Sequence, residues 1–190
     1  MIKYILICSD KEKERKDYSI KQLHELGIND FLISEAQFPT EYHEELKKRK
    51  YIGNKKCNGL GKLGCYFAHE KAFELGYSLK NNFVVFEDDF LVIDKNFKKT
   101  LDDYNELMVK EDYFYIQFAG KAFRSNCCNL YNHNYIKDFI DFRKKYYGAS
   151  DQILEKFCKN NDKKYLNVKN KIKIRKIESI ICFYDKKGKK

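Results

Sequence analysis

Three carboxylates stand side by side at Glu87-Asp88-Asp89, directly after the apolar run FVVF at 83–86. Acids crowded at the end of an interior strand repel one another and lose hydration. Each then favours its protonated form unless a cation or a dense set of donors sits among them. Side chains alternate along a strand, which puts Glu87 and Asp89 on one side and Asp88 on the other. An i, i+2 acidic pair at the carboxyl edge of an α/β sheet lies where open sheets of this class bind ligands. Hard oxygen donors in such a cluster suit Mg²⁺ or Mn²⁺ holding a diphosphate. The plain alternative is a solvated turn, but a turn has no need of three acids after four buried apolar residues.

A second group is Gly61-Lys62-Leu63-Gly64-Cys65, with His69 one turn beyond Cys65. Two glycines where a loop becomes a helix permit close backbone approach, and a new helix offers free N–H groups to phosphate. Lys62 adds positive charge there. The stretch fits neither the P-loop nor the dinucleotide fingerprint, and an ordinary flexible helix start accounts for it equally well. Cys65 and His69 at i, i+4, with Cys57 nearby, also read as zinc ligands, yet no fourth ligand lies at a usual spacing.

The elements around these residues alternate in type. KYILIC at 3–8 reads as a short buried strand ending in Ser9-Asp10. Residues 11–26 carry Ile20, Leu23 and Leu26 at helical spacing and stop at Gly27; DFLIS at 30–34 is a second strand. This β-α-β opening is typical of an α/β domain with a mostly parallel sheet. A short helix is expected at 41–50 and a long one at 63–79, followed by the interior strand 83–86. Phe97, Leu101, Tyr104 and Met108 repeat at 4, 3 and 4, an amphipathic helix. A strand at 113–118, helices at 135–145 and 151–159, and strands within 164–184 complete the reading. His133 falls in a polar loop at 129–134, where it could touch an acceptor or a metal, although a lone loop histidine more often does neither.

With 190 residues, no repeat and no linker, one domain over 1–185 with a basic tail at 186–190 is expected. The net charge of +10 resembles a nucleic-acid signal until it is located. Residues 171–190 hold eight Lys/Arg against Glu178 and Asp185, a net of +6, leaving +4 for the first 170. The seven cysteines form no CxxC pair, which fits reduced thiols and a cytoplasmic location. No apolar run approaches the ~18–20 residues needed to span a bilayer, and the short apolar start of the chain does not fit an export signal.

GKLGCYFAHEKAFE, about a dozen residues, then FVVFEDDFLV resembles the signature of glycosyltransferase family 25. That family includes lipopolysaccharide-biosynthesis and collagen galactosyltransferases. Its pattern is G-E-[IL]-G-C-x-x-S-H at the start of a helix, then an apolar strand ending in E-D-D. The match is carried by Gly61, Leu63, Gly64, Cys65 and His69, then Glu87, Asp88 and Asp89, with Lys62 where the family usually has Glu and Ala68 where it has Ser. The opening KYILICSDKEKER resembles the family's first strand and the basic helix that follows, carrying Arg15. DYFYIQFAG at 112–120 is similar to its W-D-[IV]-x-x-L-G strand without the Trp, and GASDQIL at 148–154 to a late segment with an Asp before a helix.

The resemblance implies a GT-A type fold, a single Rossmann-like nucleotide-binding domain with a mixed, mostly parallel sheet flanked by helices. It also implies transfer of a hexose from a nucleotide sugar, UDP-glucose or UDP-galactose, to a hydroxyl of a glycan, lipid-linked or protein acceptor, with inversion. Asp89 then ligates Mn²⁺ or Mg²⁺, with Glu87 or Asp88 binding it directly, through water, or contacting the ribose. Ser9, Lys11 and Arg15 sit near the nucleotide, and Lys62 and His69 contact phosphate or sugar. Inversion needs a carboxylate to take the acceptor's proton; Asp151, after the small-residue turn Gly148-Ala149-Ser150, is the candidate, and a helix N-cap is its bland alternative. Two rivals compete with this reading. One is a metal-dependent phosphoryl-transfer enzyme, for which Asp10 and Asp151 are the obvious extra acids. The other is a basic nucleic-acid-binding module, disfavoured by the concentration of charge at the C-terminal end.

Overall fold

The computed structural model describes residues 1–36, 43–52, 60–120 and 126–174. The expected domain end at 185, the tail 186–190, the late strand near 179–184, Cys57 and Cys182 lie outside the described residues, as does the side chain of Lys62.

β1 (Lys3–Cys8) is buried from Tyr4 onward, as its unbroken apolar run requires. A 3-10 turn, Asp10–Glu12, leads into α1 (Lys13–Glu25), and the chain reverses at Gly27, whose φ of +72° is open to glycine without steric cost. β2 (Leu32–Glu35) returns parallel to β1, with Ile5 opposite Leu32 and Cys8 opposite Glu35. After α2 (His43–Leu46) and β3 (Lys50–Tyr51) comes the long α3 (Leu60–Ser78), then β4 (Phe83–Glu87) and β5 (Phe90–Val92). α4 (Phe97–Glu111), β6 (Tyr115–Ala119), β7 (Cys128–Tyr131) and α5 (His133–Lys145) follow, then β8 (Tyr146–Tyr147), α6 (Ser150–Asn160) and β9 (Tyr165–Ile174).

The main sheet runs β2-β1-β4-β7-β6-β9-β5, while β3 and β8 pair separately. The β2, β1, β4, β6 and β9 strands point one way, and β7 and β5 run against them, so the sheet is mixed and mostly parallel. Strand alternation sorts the core. Leu6, Val84, Phe86 and Phe118 face α1 and α4, and Ile5, Ile7, Phe83 and Val85 face α3, α5 and α6. Gly76 lets α3 lie flat on β4, because a Cβ there would stand 2.4 Å from the Phe83 ring.

The β4–β5 connection shapes the site. From Glu87 to Phe90 the chain spans at most about 11 Å, whereas four strand spacings separate β4 from β5 in the sheet order, about 19 Å if the sheet were flat. The sheet must therefore curl at this end. The β6–β9 register breaks between Gln117 and Ala119, and the end of β9 takes up β5, Phe90 opposite Ile174.

Three expectations change. Among the described residues of the expected 41–50 helix, α2 covers only His43–Leu46. α3 begins at Leu60, so Gly61 and Gly64 lie inside its first turns, not in a loop before it. Burial of Leu63, Tyr66 and Phe67 outweighs the roughly 1 kcal/mol that each helical glycine costs. The polar loop at 129–134 is in fact the inner strand β7 followed by the start of α5. Asn129 is fully buried there, its Nδ2 donating to Asn126 Oδ1 and to the Tyr131 hydroxyl, both at 3.0 Å.

Candidate active site

β1 and β4 lie side by side with Ile7 opposite Glu87, so both strands release the chain at the same sheet edge. A cleft of about 120 Å³ opens there. Ser9, Lys11, Glu12 and Arg15 form one wall, Gly64, Cys65, Ala68 and His69 of α3 the other, and Glu87, Asp88 and Asp89 the floor.

The polar face of α1 secures the floor. Arg15, Ser19 and Gln22 are spaced by four and three residues and therefore share one face. Arg15 Nη2 bonds Asp88 Oδ1, and Arg15 Nη1 meets Glu12 at 2.8 Å. Ser19 Oγ donates to the Asp88 carbonyl at 3.0 Å, and Gln22 grips β5 through Phe90 O at 2.9 Å and Val92 N at 3.2 Å. Ser9 closes the turn after β1, its Oγ accepting from Lys11 N at 3.2 Å.

The three acids meet different surroundings. Glu87 continues the β4 face that looks at α3, where its Oε1 lies 2.6 Å from His69 Nε2 and accepts from Cys65 Sγ at 3.5 Å. Burial opposes its charge, but the His69 bond, followed by Cys65 and Arg15, holds it below the usual glutamate range. The Cys65 thiol is pushed well up, by burial first and then by Glu87. Asp88 turns to α1, and burial raises it to about 6 against the pull of Arg15. Asp89 rises to about 7, through burial and then the charge of Glu87. Its Oδ1 is buried with no partner among the described residues. Arg15 Nε and His69 Nδ1 are likewise buried and unpartnered. The cleft's described charges are Lys11 and Arg15 against Glu12, Glu87, Asp88 and Asp89, an acidic balance. An orphaned carboxylate oxygen in an acidic cleft with hard donors fits a divalent cation.

A family profile described as "Glycosyltransferase family 25 (LPS biosynthesis protein)" matches residues 1–172. The chain belongs to glycosyltransferase family 25. It is a glycosyltransferase, and such an activity takes a sugar from a donor to an acceptor. The family membership displaces both the phosphoryl-transfer and the nucleic-acid readings. No curated protein sequence matches the chain.

Two solved structures share the fold over nearly their whole lengths. One is a glycosyltransferase involved in the glycosylation of the major capsid of PBCV-1, at 11% identity and TM-score 0.57, over 98% of this chain and 97% of that one. The other is the 4-diphosphocytidyl-2C-methyl-D-erythritol synthase of Anaerococcus prevotii, at 11% identity and TM-score 0.55, over 100% and 99%. The architecture is GT-A-like. Among the described residues, no helix is long and apolar enough to cross a membrane.

The cleft of this family 25 chain gathers Ser9, Lys11, Arg15, His69, Glu87, Asp88 and Asp89. Asp151 does not line it. It is the second residue of α6, where Ala149 is the N-cap, and its Oδ1 accepts from Gln152 N at 2.9 Å; its charge is still felt at Cys65. His133 opens α5 at the opposite, amino end of β4, its N bonded to Asn82 Oδ1 at 2.9 Å and its ring 5.3 Å from Tyr77. It is remote from the acids. The sequence reading missed Glu12, Ser19 and Gln22, whose signal was their spacing around Arg15.

Proposed function

We propose that the protein moves a hexose from UDP-glucose or UDP-galactose to a hydroxyl of a glycan, lipid-linked or protein acceptor, with inversion and in the presence of Mn²⁺ or Mg²⁺. The buried Oδ1 of Asp89, without a partner among the described residues of an acidic cleft, carries this reading. Asp89 and Glu87 hold the cation, which when bound offsets the charge that builds on the departing diphosphate. Lys11 and Arg15 face the diphosphate, Ser9 the nucleoside, and His69 and Lys62 the phosphate or sugar. Asp88, paired with Arg15, keeps that guanidinium aimed across the cleft. Asp151, outside the cleft lining but with its charge felt at Cys65, takes the acceptor hydroxyl's proton from the acceptor side as the hydroxyl oxygen bonds to the sugar's anomeric carbon. The bond from that carbon to the phosphate oxygen breaks, and its electron pair leaves with the nucleoside diphosphate. One domain over 1–185 contains this machinery, and the free Cys8, Cys65, Cys127, Cys128 and Cys158 suit a cytoplasmic location.

Donor turnover measured as UDP release tests the proposal. We expect turnover with Mn²⁺, none after chelation, and a loss of at least about 100-fold in Asp89→Asn. Equal rates with and without the metal would sink it.

A further inference from the structure

On the α3 wall of the cleft, across from Arg15, three different ligand types converge. We propose that Cys65 Sγ, His69 Nε2 and Glu87 Oε1 form a three-ligand site for a borderline divalent cation of the zinc class, which has only Glu87 in common with the hard-cation position at Asp89. All three ligand atoms lie within 4.8 Å of one another. Cys57, the third ligand that the sequence suggests, lies outside the described residues, and the fold brings Glu87 of β4 to Cys65 and His69.

The local structure explains the convergence. Cys65 and His69, one turn apart, present their side chains on the same face of α3. Glu87 follows Phe83 and Val85 in strand parity and so meets that face. In a tetrahedral site with bonds of about 2.0–2.3 Å, ligand atoms sit about 3.4–3.6 Å apart. The Cys65–Glu87 separation of 3.5 Å is already there, and the His69–Glu87 pair at 2.6 Å has to open by less than 1 Å. Thiolate, imidazole and carboxylate together select zinc-like ions over Mg²⁺. His69 is 1% exposed and its Nδ1 has no partner among the described residues, so ligation through Nε2 breaks no bond of the other nitrogen there. Three protein ligands beside an open cleft leave a fourth position for water or another ligand. On binding, the Cys65 proton leaves to solvent and a metal–sulfur bond replaces the S–H bond.

Glu87 is shared with the position proposed for Mn²⁺, so zinc occupancy excludes the productive donor complex. That consequence alone rests on the proposed function; the site itself does not.

Co²⁺ titration of the full chain provides the test. We expect one equivalent to bind with an intense thiolate-to-cobalt absorption in the near ultraviolet, displaced by Zn²⁺ and accompanied by proton release. Cys65→Ser loses this absorption and binds at least 10-fold more weakly, while Asp89→Asn retains it. No absorption in the native chain, an unchanged one in Cys65→Ser, or its loss in Asp89→Asn overturns the site. Alkylation of the unmutated protein gives a second readout that does not depend on a variant folding: Zn²⁺ protects Cys65, and no protection overturns the proposal. Failure of Mn²⁺-dependent turnover leaves these readouts untouched, so the two ideas fall separately.

Discussion

Asp89→Asn keeps the shape of the side chain while removing its charge, which separates what the residue does for folding from what it does for function. In the metal-free protein, burial and then Glu87 raise its carboxyl from an ordinary 3.8 to about 7. Between those values the folded chain keeps a proton that the unfolded chain has already lost. Stability is therefore greatest below the ordinary value and falls as pH rises, the loss being complete above about 7. One unit of displacement is worth about 1.4 kcal/mol, so at pH 8 the loss reaches at most ~4 kcal/mol. In chelator at pH 8, Asp89→Asn is expected to melt several degrees higher than the native sequence, with the gain shrinking by more than half at pH 5. Differential scanning calorimetry checks this. An unchanged melting point at pH 8 removes the reason for placing a cation on that oxygen. Asp88 behaves differently although it is next in sequence, because Arg15 shares its charge and holds it only to about 6.

The wall that bears Cys65 and His69 depends on how α3 is held. Glu70, adjacent to His69, accepts a fork from Arg49, Nη1 at 2.6 Å and Nη2 at 3.0 Å. Arg143 of α5 is fully buried, donates from Nη2 to Tyr66 O at 2.6 Å, and stacks 4.1 Å over the Tyr66 ring. Burial opposes the charge of Glu70, but Arg49 and Arg143 outweigh it and hold its carboxyl low. Glu70→Ala leaves Arg143 buried without a carboxylate and Arg49 with only the half-exposed Glu45. We expect a loss of about 3–5 kcal/mol, read as a lower urea midpoint, with only a minor part restored by Glu70→Gln, which keeps an acceptor oxygen but not the charge. A change below about 0.5 kcal/mol refutes the role given to this cluster. None of it was legible in the sequence, since Arg49, Glu70 and Arg143 are far apart along the chain. What local pattern determines could be read: the unbroken runs of β1 and β4, the 97-101-104-108 stripe of α4, and the crowding of Glu87 to Asp89. The alternation expected across those acids ends with the strand, at Glu87, so Asp89 is placed by a turn. The β7 strand was hidden because a buried asparagine looks like a loop until its amide partners are known. Its insertion between β4 and β6 is a long-range packing outcome that no short window encodes. The Arg15–Asp88 bond, closing across 73 residues, is of the same kind.

At the scale of the whole molecule, charge is distributed against the needs of the substrate. The chain carries +10, yet the described cleft is acidic, and the surplus lies mainly in residues 171–190. In the proposed function a nucleoside diphosphate brings further negative charge to Glu87, Asp88 and Asp89 in a partly desolvated space, where like charges repel strongly. Lys11 and Arg15 cannot offset this, since Arg15 already serves Glu12 and Asp88. Under the proposed function, cation and nucleotide are therefore expected to bind together, each lowering the cost of the other. A ligand held only by the native state at 100 times its dissociation constant stabilises by about 2.7 kcal/mol. For a domain of this size that is a melting-point rise of about 5–10 °C. We expect such a rise for UDP with Mn²⁺, but less than about 1–2 °C for UDP in chelator or for Mn²⁺ alone. Asp89→Asn should lose the combined rise while keeping its own higher baseline. An equal shift with UDP in chelator means that positive side chains suffice to hold the diphosphate. The acids would then be left with no role in donor binding.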